Sequence, residues 1–203
     1  MAAENKRQGT STRKSRETDV ELQIGLDGGK PSDISTSIGF LDHMLELFAF
    51  HSGFSLQIKA SGDIHVDDHH LAEDIGICLG TAMAQALGER RGIERYASVL
   101  MPMDEALVEV TADMGGRSFL YYDVNYGRDM LGSLATENIR EFMAAFCRQA
   151  GITLHIEKKH GENAHHIAEA VFKGLARCMK QAMTVNAHNV QTIPSSKGMI
   201  DVG

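Results

Sequence analysis

Hydrophobic and polar positions change period several times along the 203 residues. Residues 1–16 carry no apolar period and read as a mobile polar tail. From Glu17 onward, Val20, Leu22, Ile24 and Leu26 alternate with polar partners up to Gly28 and Gly29, the pattern of a half-buried strand closed by a turn. Phe40, Leu41, Met44, Leu47 and Phe48 recur at helical spacing, and FSLQIKA (54–60) alternates again as a strand. Leu71, Ile75, Leu79, Ala82, Met83 and Ala86 form one apolar stripe, with Asp68 placed to cap this helix and Gly88 to stop it. Residues 105–114 and 118–124 predict two strands with GGR (115–117) as their turn. Ser133 to Ala150 predicts a helix with Ile139, Phe142, Met143 and Phe146 on one face. ITLHIEK (152–158) is a strand, and 162–184 a second long helix striped by Ile167, Val171, Leu175, Met179 and Ala182. No period continues past Asn186, where the chain carries IPSSKG (193–198).

The order strand, helix, strand, long helix thus occurs twice. Laying the first long helix on the second superposes His69 on His165, His70 on His166, Ala72 on Ala168, Glu73 on Glu169, Leu79 on Leu175 and Met83 on Met179. Just upstream, Phe48 falls on Phe146, Gly53 on Gly151 and Leu56 on Leu154, with a small length change in the loop between, where such changes cost little. Shared apolar positions follow from amphipathicity alone, but a repeated HHxxE does not. The expectation is an α+β fold made of tandem-duplicated halves, about 17–95 and 96–185, packed as one functional unit over 17–203.

HHLAE (69–73) and HHIAE (165–169) each put two imidazoles and a carboxylate on one helical turn. Adjacent histidines diverge by about 100°, so they can serve two different metals. His43, in FLDHM on the first short helix, corresponds to Glu141 in the second half, so a ligand type stands in both. The candidate ligands are therefore His43, His69, His70, Glu73, Glu141, His165, His166 and Glu169, enough for two sites that keep open positions, as catalytic metals do. Imidazole and carboxylate without thiolate suit manganese, iron, zinc or nickel. His51 lies near the face of His43 and is a candidate for the pocket wall. His65, His155, His160 and His188 read as solvated or packed imidazoles.

Composition narrows the function. Lys plus Arg total 20 against 27 Asp plus Glu, a formal charge of -7, which argues against a general nucleic-acid binder. No apolar run reaches membrane-span length and no signal-peptide h-region is visible. Three scattered cysteines, Cys78, Cys147 and Cys178, suit a reducing compartment, and a cytoplasmic protein is expected. No GxGxxG or Walker pattern suggests a nucleotide. Arg95, Arg117, Lys173 and Lys197 sit near turns or the metal motif and are candidates for an anion site, although spacing alone cannot bring them together.

FLDHM, DDHHLAED, GGRS, TLHI, HHIAEAVFKG and PSSKG together resemble the imidazoleglycerol-phosphate dehydratase family across essentially residues 16–199. The resemblance implies a ribosomal-protein-S5-domain-2-like duplicated fold, assembly of 24 subunits with active sites between them, and two manganese ions per site. Other divalent metals fit the same donors. It implies loss of water from imidazole-glycerol phosphate to give imidazole-acetol phosphate in histidine biosynthesis, with the ring held between metals as imidazolate. It nominates Glu17 as the group that takes the carbon-bound proton, and Arg95, Arg117, Lys173, Ser195, Ser196 and Lys197 as holders of the phosphate. Where that family commonly carries a histidine, this chain has Glu141, and where many of its members have a lysine it has Glu162. From the residues alone, a two-metal hydrolase of phosphorylated small molecules and a non-catalytic metal-binding assembly protein remain open; release of inorganic phosphate would mark the first.

Overall fold

A computed structural model describes residues 7–200. The first half runs β1 (Gln8–Lys14), β2 (Thr18–Gly25), β3 (Asp33–Ser35), α1 (Gly39–Ser52), β4 (Ser55–Gly62), α2 (His69–Leu87). The second runs β5 (Tyr96–Met103), β6 (Ala106–Asp113), β7 (Phe119–Asp123), a small hairpin of β8 (Met130–Leu131) and β9 (Leu134–Ala135), then α3 (Thr136–Ala150), β10 (Thr153–His160) and α4 (Ala164–Ala182). The sheets have matching orders, β1-β2-β4-β3 and β5-β6-β10-β7. In each, the short edge strand is parallel to its neighbour and the remaining pairs are antiparallel. The registers correspond as well: Ile24 stands opposite Leu56 as Ala112 stands opposite Leu154. The fold is α+β with duplicated halves. The β8–β9 hairpin is the second half's addition; ahead of it the Tyr126 and Tyr122 hydroxyls meet at 2.5 Å.

Three expectations about the strands need correction. Residues 7–16, expected in a mobile tail, contain β1, while residues 1–6 of that tail lie outside the described residues. The strand escapes an apolar pattern because the residue it buries is Gly9, whose backbone lies so close to α2 that a Cβ would come within 1.8 Å of the Ala82 carbonyl oxygen. β5 also has no predicted counterpart: it is an edge strand whose large residues, Tyr96 and Leu100, face outward while Ala97 faces in. Gly115 to Arg117 is no hairpin turn, since β10 lies between β6 and β7.

Each sheet carries a helix pair on its inner face, α1 and α2 on the first and α3 and α4 on the second. The pairs meet as α2 against α3 and α1 against α4, giving a helical layer between two sheets. The alternating strand residues Val20, Leu22, Ile24 and Val108, Val110, Ala112 close this core from both sides. At the α2–α3 crossing, a Cβ on Gly76 or Gly80 would stand 2.5 Å from the carbonyl oxygen of Phe142 or Phe146, so glycine sets the approach there. Among the described residues no helix is long and apolar enough to cross a membrane.

Both HHxxE motifs begin a helix, but their caps differ. Asn163 Oδ1 accepts from the backbone N–H of His165 (2.9 Å) and His166 (3.4 Å), closing the start of α4. Asp68 occupies the N-cap position of α2 without capping it. Its Oδ2 accepts instead from the Ala135 N–H at 2.8 Å, tying α2 to the approach of α3, and Asp67 takes the His69 N–H at 3.0 Å.

Candidate active site

Packing α1 against α4 brings His43 onto the HHIAE turn. His43 Nε2 lies 3.2 Å and His165 Nε2 3.0 Å from Glu169 Oε1, and one ligand atom from each residue fits within 4.8 Å of the others. Among the described residues this is the one such gathering of three potential ligands. Lys173, one turn further along α4, donates to Glu169 Oε2 at 2.5 Å. Burial pushes the Glu169 pKa up, but hydrogen bonds from Lys173, His43 and His165 outweigh it and bring the group down to about 2. Phe40 packs edge-on against His165, with ring centres 5.3 Å apart.

The corresponding residues of the other half are placed alike but not gathered. Asn138, the counterpart of Phe40, meets His69 Nδ1 at 3.0 Å through Oδ1. Glu73 faces Arg148 at 3.9 Å and Glu141 pairs with Arg140 at 2.9 Å. Both carboxylates thus pair with arginines of α3, whereas Glu169 pairs with Lys173 and stays within the first group.

The rings of His70 and His166 stand nearly perpendicular to those of His69 and His165, at 80° and 88°, and find partners of their own. His166 Nδ1 meets Glu105 Oε2 at 2.7 Å, and His70 Nδ1 meets Asp63 Oδ2 at 3.1 Å with Glu17 Oε2 at 4.0 Å. Glu17 directly precedes β2 and Glu105 directly precedes β6, so the two are counterparts, each beside the second histidine of its half. Hydrogen bonding to Asp63 and Glu105 raises the pKa of His70 and His166 respectively, while His166 and the Asn163 N–H bring Glu105 down to about 2. With Nδ1 engaged by a carboxylate in both, Nε2 is the nitrogen that faces a metal, and Asp104 Oδ2 lies 3.6 Å from that of His166.

A second feature lies at the far end of the second sheet. Arg95, Arg117, Ser195, Ser196 and Lys197 line one cavity of about 400 Å³ with Tyr96 and Gly115. Arg95 is fixed by Asp113, at 2.7 and 3.2 Å, and by the Pro194 carbonyl at 2.8 Å, and it lies 4.6 Å above the Tyr96 ring centre. Its backbone has a positive φ of 73°. The arginines, the lysine and the serines are basic or hydroxyl donors from segments far apart in the chain, which is the chemistry of an anion cradle. Lys173, expected with them, stands apart at Glu169. His51 ends α1 half-buried; burial, then Lys173 and Arg177, lower its pKa. His155 packs between Phe119 and Tyr121, as a packed imidazole should.

Sequence reasoning missed Asn138, Asp63, Glu105 and Asp113. Glu105 carried a weak signal, because the segments that enter β2 and β6 share Glu17/Glu105, Val20/Val108 and Glu21/Glu109. The others are set by tertiary contact and carry no local signal.

The profile of the family described as imidazoleglycerol-phosphate dehydratase matches residues 36–179. The imidazoleglycerol-phosphate dehydratase of Rhodopseudomonas palustris (strain BisB5) is 50% identical over 194 residues, covering 96% of this chain and 98% of its own. That of Methylorubrum extorquens is 51% identical over 189 residues, covering 93% and 97%. The crystal structure of the Staphylococcus aureus subsp. aureus N315 enzyme superposes with a TM-score of 0.81 at 37% identity, over 88% of this chain and 99% of that one. The Pyrococcus furiosus structure, in complex with (S)-C348, gives 0.80 at 38% identity, over 93% and 99%. By profile, sequence and fold, the chain belongs to the imidazoleglycerol-phosphate dehydratase family, hydro-lyases of histidine biosynthesis.

Proposed function

We propose that this dehydratase works with two divalent metal ions, manganese(II) by preference, and grips its substrate's phosphate in the cavity of Arg95, Arg117 and Lys197. The observation that carries the metal reading is the convergence of His43, His165 and Glu169 from two helices. The donors fit: imidazole nitrogen and carboxylate oxygen with no thiolate suit a hard to borderline ion. His43, His165 and Glu169 would hold one ion, and their counterparts Glu141, His69 and Glu73 the other. His70 and His166 stand outside these groups, so they would complete the sites of neighbouring copies in a homo-oligomer. Two ions, when bound, would hold the imidazole ring as its imidazolate and so enrich it in electrons that help expel the side-chain hydroxyl.

The chain's own residues do the rest. Arg95, Arg117, Ser195, Ser196 and Lys197 bind and orient the phosphate, which fixes the side chain relative to the ring. Glu17, exposed beside His70, takes the proton from carbon. Lys173 holds the Glu169 carboxylate in place rather than touching phosphate.

Incubation of the purified protein with manganese(II) and imidazole-glycerol phosphate tests this. Metal-dependent appearance of the keto product is the expected result, with light scattering reporting a homo-oligomer. Turnover undiminished after complete metal removal overturns the metal reading, and release of inorganic phosphate would point to hydrolysis.

A further inference from the structure

Arg90 is among the largest fully buried side chains of the protein, 1% exposed, and takes no part in the chemistry above. It follows the end of α2 with a positive φ of 58°, a conformation strained for a residue with a side chain. Its guanidinium bonds only carbonyl oxygens: Nη1 donates to Met114 and to Gly151, each at 2.8 Å, and Nη2 to Ala150 at 2.6 Å. Its Nε is buried without a partner. The nearby carboxylate, Asp113, is already gripped through both oxygens by Arg95. An interior cation with no anion of its own and an unsatisfied N–H is costly, and burial lowers its pKa accordingly.

All three bonds serve one place. Met114 opens the segment 114–117, which carries Gly115 and Arg117 into the anion cavity. Ala150 and Gly151 form the C-terminal end of α3, where unpaired carbonyls favour a cation. The segment lies tight against that end: a Cβ on Gly151 would stand 2.9 Å from the Gly116 carbonyl oxygen and 3.1 Å from Arg90 Nη2. On its other side the Met114 N–H donates to the Arg95 carbonyl at 3.0 Å. Arg90 therefore joins the end of a core helix to the loop between two cavity arginines. It also places a second positive charge behind the cavity, one that shares Asp113 with Arg95.

We propose that Arg90 is a positioning residue of the anion site, its forked guanidinium fixing segment 114–117 so that Gly115 and Arg117 face the phosphate. This rests on the reading of the cavity as the phosphate site. The test compares Arg90→Met and Arg90→Lys with the parent and with Arg117→Ala, all metal-loaded. The measurements are KM, kcat, the inhibition constant of inorganic phosphate, metal content and melting temperature. Arg90→Met should raise KM and the phosphate constant about tenfold, the scale of one lost charge-assisted contact, with metal content unchanged and kcat little altered. Arg90→Lys keeps the charge but cannot span three carbonyls, and should raise both about threefold, on the scale of one ordinary hydrogen bond. A purely structural arginine would lower the melting temperature and leave the phosphate constant where it was; that result in Arg90→Met overturns the proposal. If Arg90→Met does not fold, an unchanged phosphate constant in Arg90→Lys overturns it instead. Should Arg117→Ala also bind phosphate normally, the cavity reading fails. If Arg117→Ala alone loses phosphate, only the role of Arg90 falls.

Discussion

Glu169 concentrates three proton donors on one carboxylate, and its behaviour with pH follows from that. Burial alone would raise its pKa, but Lys173, His43 and His165 together hold it at about 2, below its ordinary value of 4.5. A carboxylate depressed on folding stabilises the native state fully above its unfolded value and loses that contribution as pH falls through the folded one. In the metal-free protein, stability from this cluster should therefore be intact above about pH 4.5 and fade toward pH 2. Glu169→Gln should flatten that limb of the acid-unfolding curve; an unchanged slope would mean that the carboxylate is not paired as described. In a manganese titration, the same variant should bind one of two ions at least ~10-fold more weakly, the scale of a lost charge-assisted ligand. Glu141→Gln should weaken the other, and Glu141→His should keep much of the binding. Two sites of unchanged affinity in Glu141→Gln would leave Glu141 as the partner of Arg140 alone.

Helix packing is what turns these residues into sites. HHxxE needs only one helical turn to align its first histidine with its glutamate, but His43 arrives from α1 because α1 lies along α4. The equivalent crossing, α2 against α3, is closer because Gly76 and Gly80 admit the α3 backbone. In an isolated helix, glycine to alanine gains up to about 1 kcal/mol. At Gly76 the new methyl would meet the Phe142 carbonyl oxygen at 2.5 Å, and backbone cannot yield as a side-chain tip can. Gly76→Ala should consequently lose about 1–3 kcal/mol in denaturant unfolding. A stabilised Gly76→Ala would show that the crossing has slack. The caps act at the same scale: Asn163 orders the two backbone amides that start HHIAE, so Asn163→Ala should cost about 1 kcal/mol. It should also lower manganese affinity in the same titration, which a cap acting on the helix alone would leave unchanged.

Over the whole molecule, the group of His43, His165 and Glu169 and the cavity of Arg95, Arg117 and Lys197 are separate constructions, one between α1 and α4, the other where the loops flanking β5 and β7 meet the C-terminal segment. Their variants should separate accordingly. Arg117→Ala and Lys197→Ala should weaken substrate and inorganic phosphate by about 1.5–3 kcal/mol each, while two manganese ions still bind. Loss of metal with unchanged phosphate affinity in either variant would reverse the assignment. How much of this the chain announced depends on the range of the forces involved. Helices α1 to α4 and strands β2, β4, β6, β7 and β10 follow from apolar periods, because each buries one face and its pattern records that face. The HHxxE turns are equally local, since residues three and four apart share a helix face whatever surrounds them. β1 and β5 are fainter: β1 packs on its helix through Gly9, while β5 buries only Ala97 fully, half-buries Val99, Met101 and Met103, and sets Tyr96 and Leu100 outward among them. Asp68 satisfied the rule for a cap and was claimed instead by the Ala135 amide across the helix layer. The sequence by itself determined the duplicated α+β plan and the two HHxxE turns that open its long helices. Which histidine joins which glutamate, the meeting of Arg95 and Arg117 with Lys197, and the clamp at Arg90 were decided by tertiary structure, because contacts between distant segments depend on how the layers pack and not on neighbouring residues.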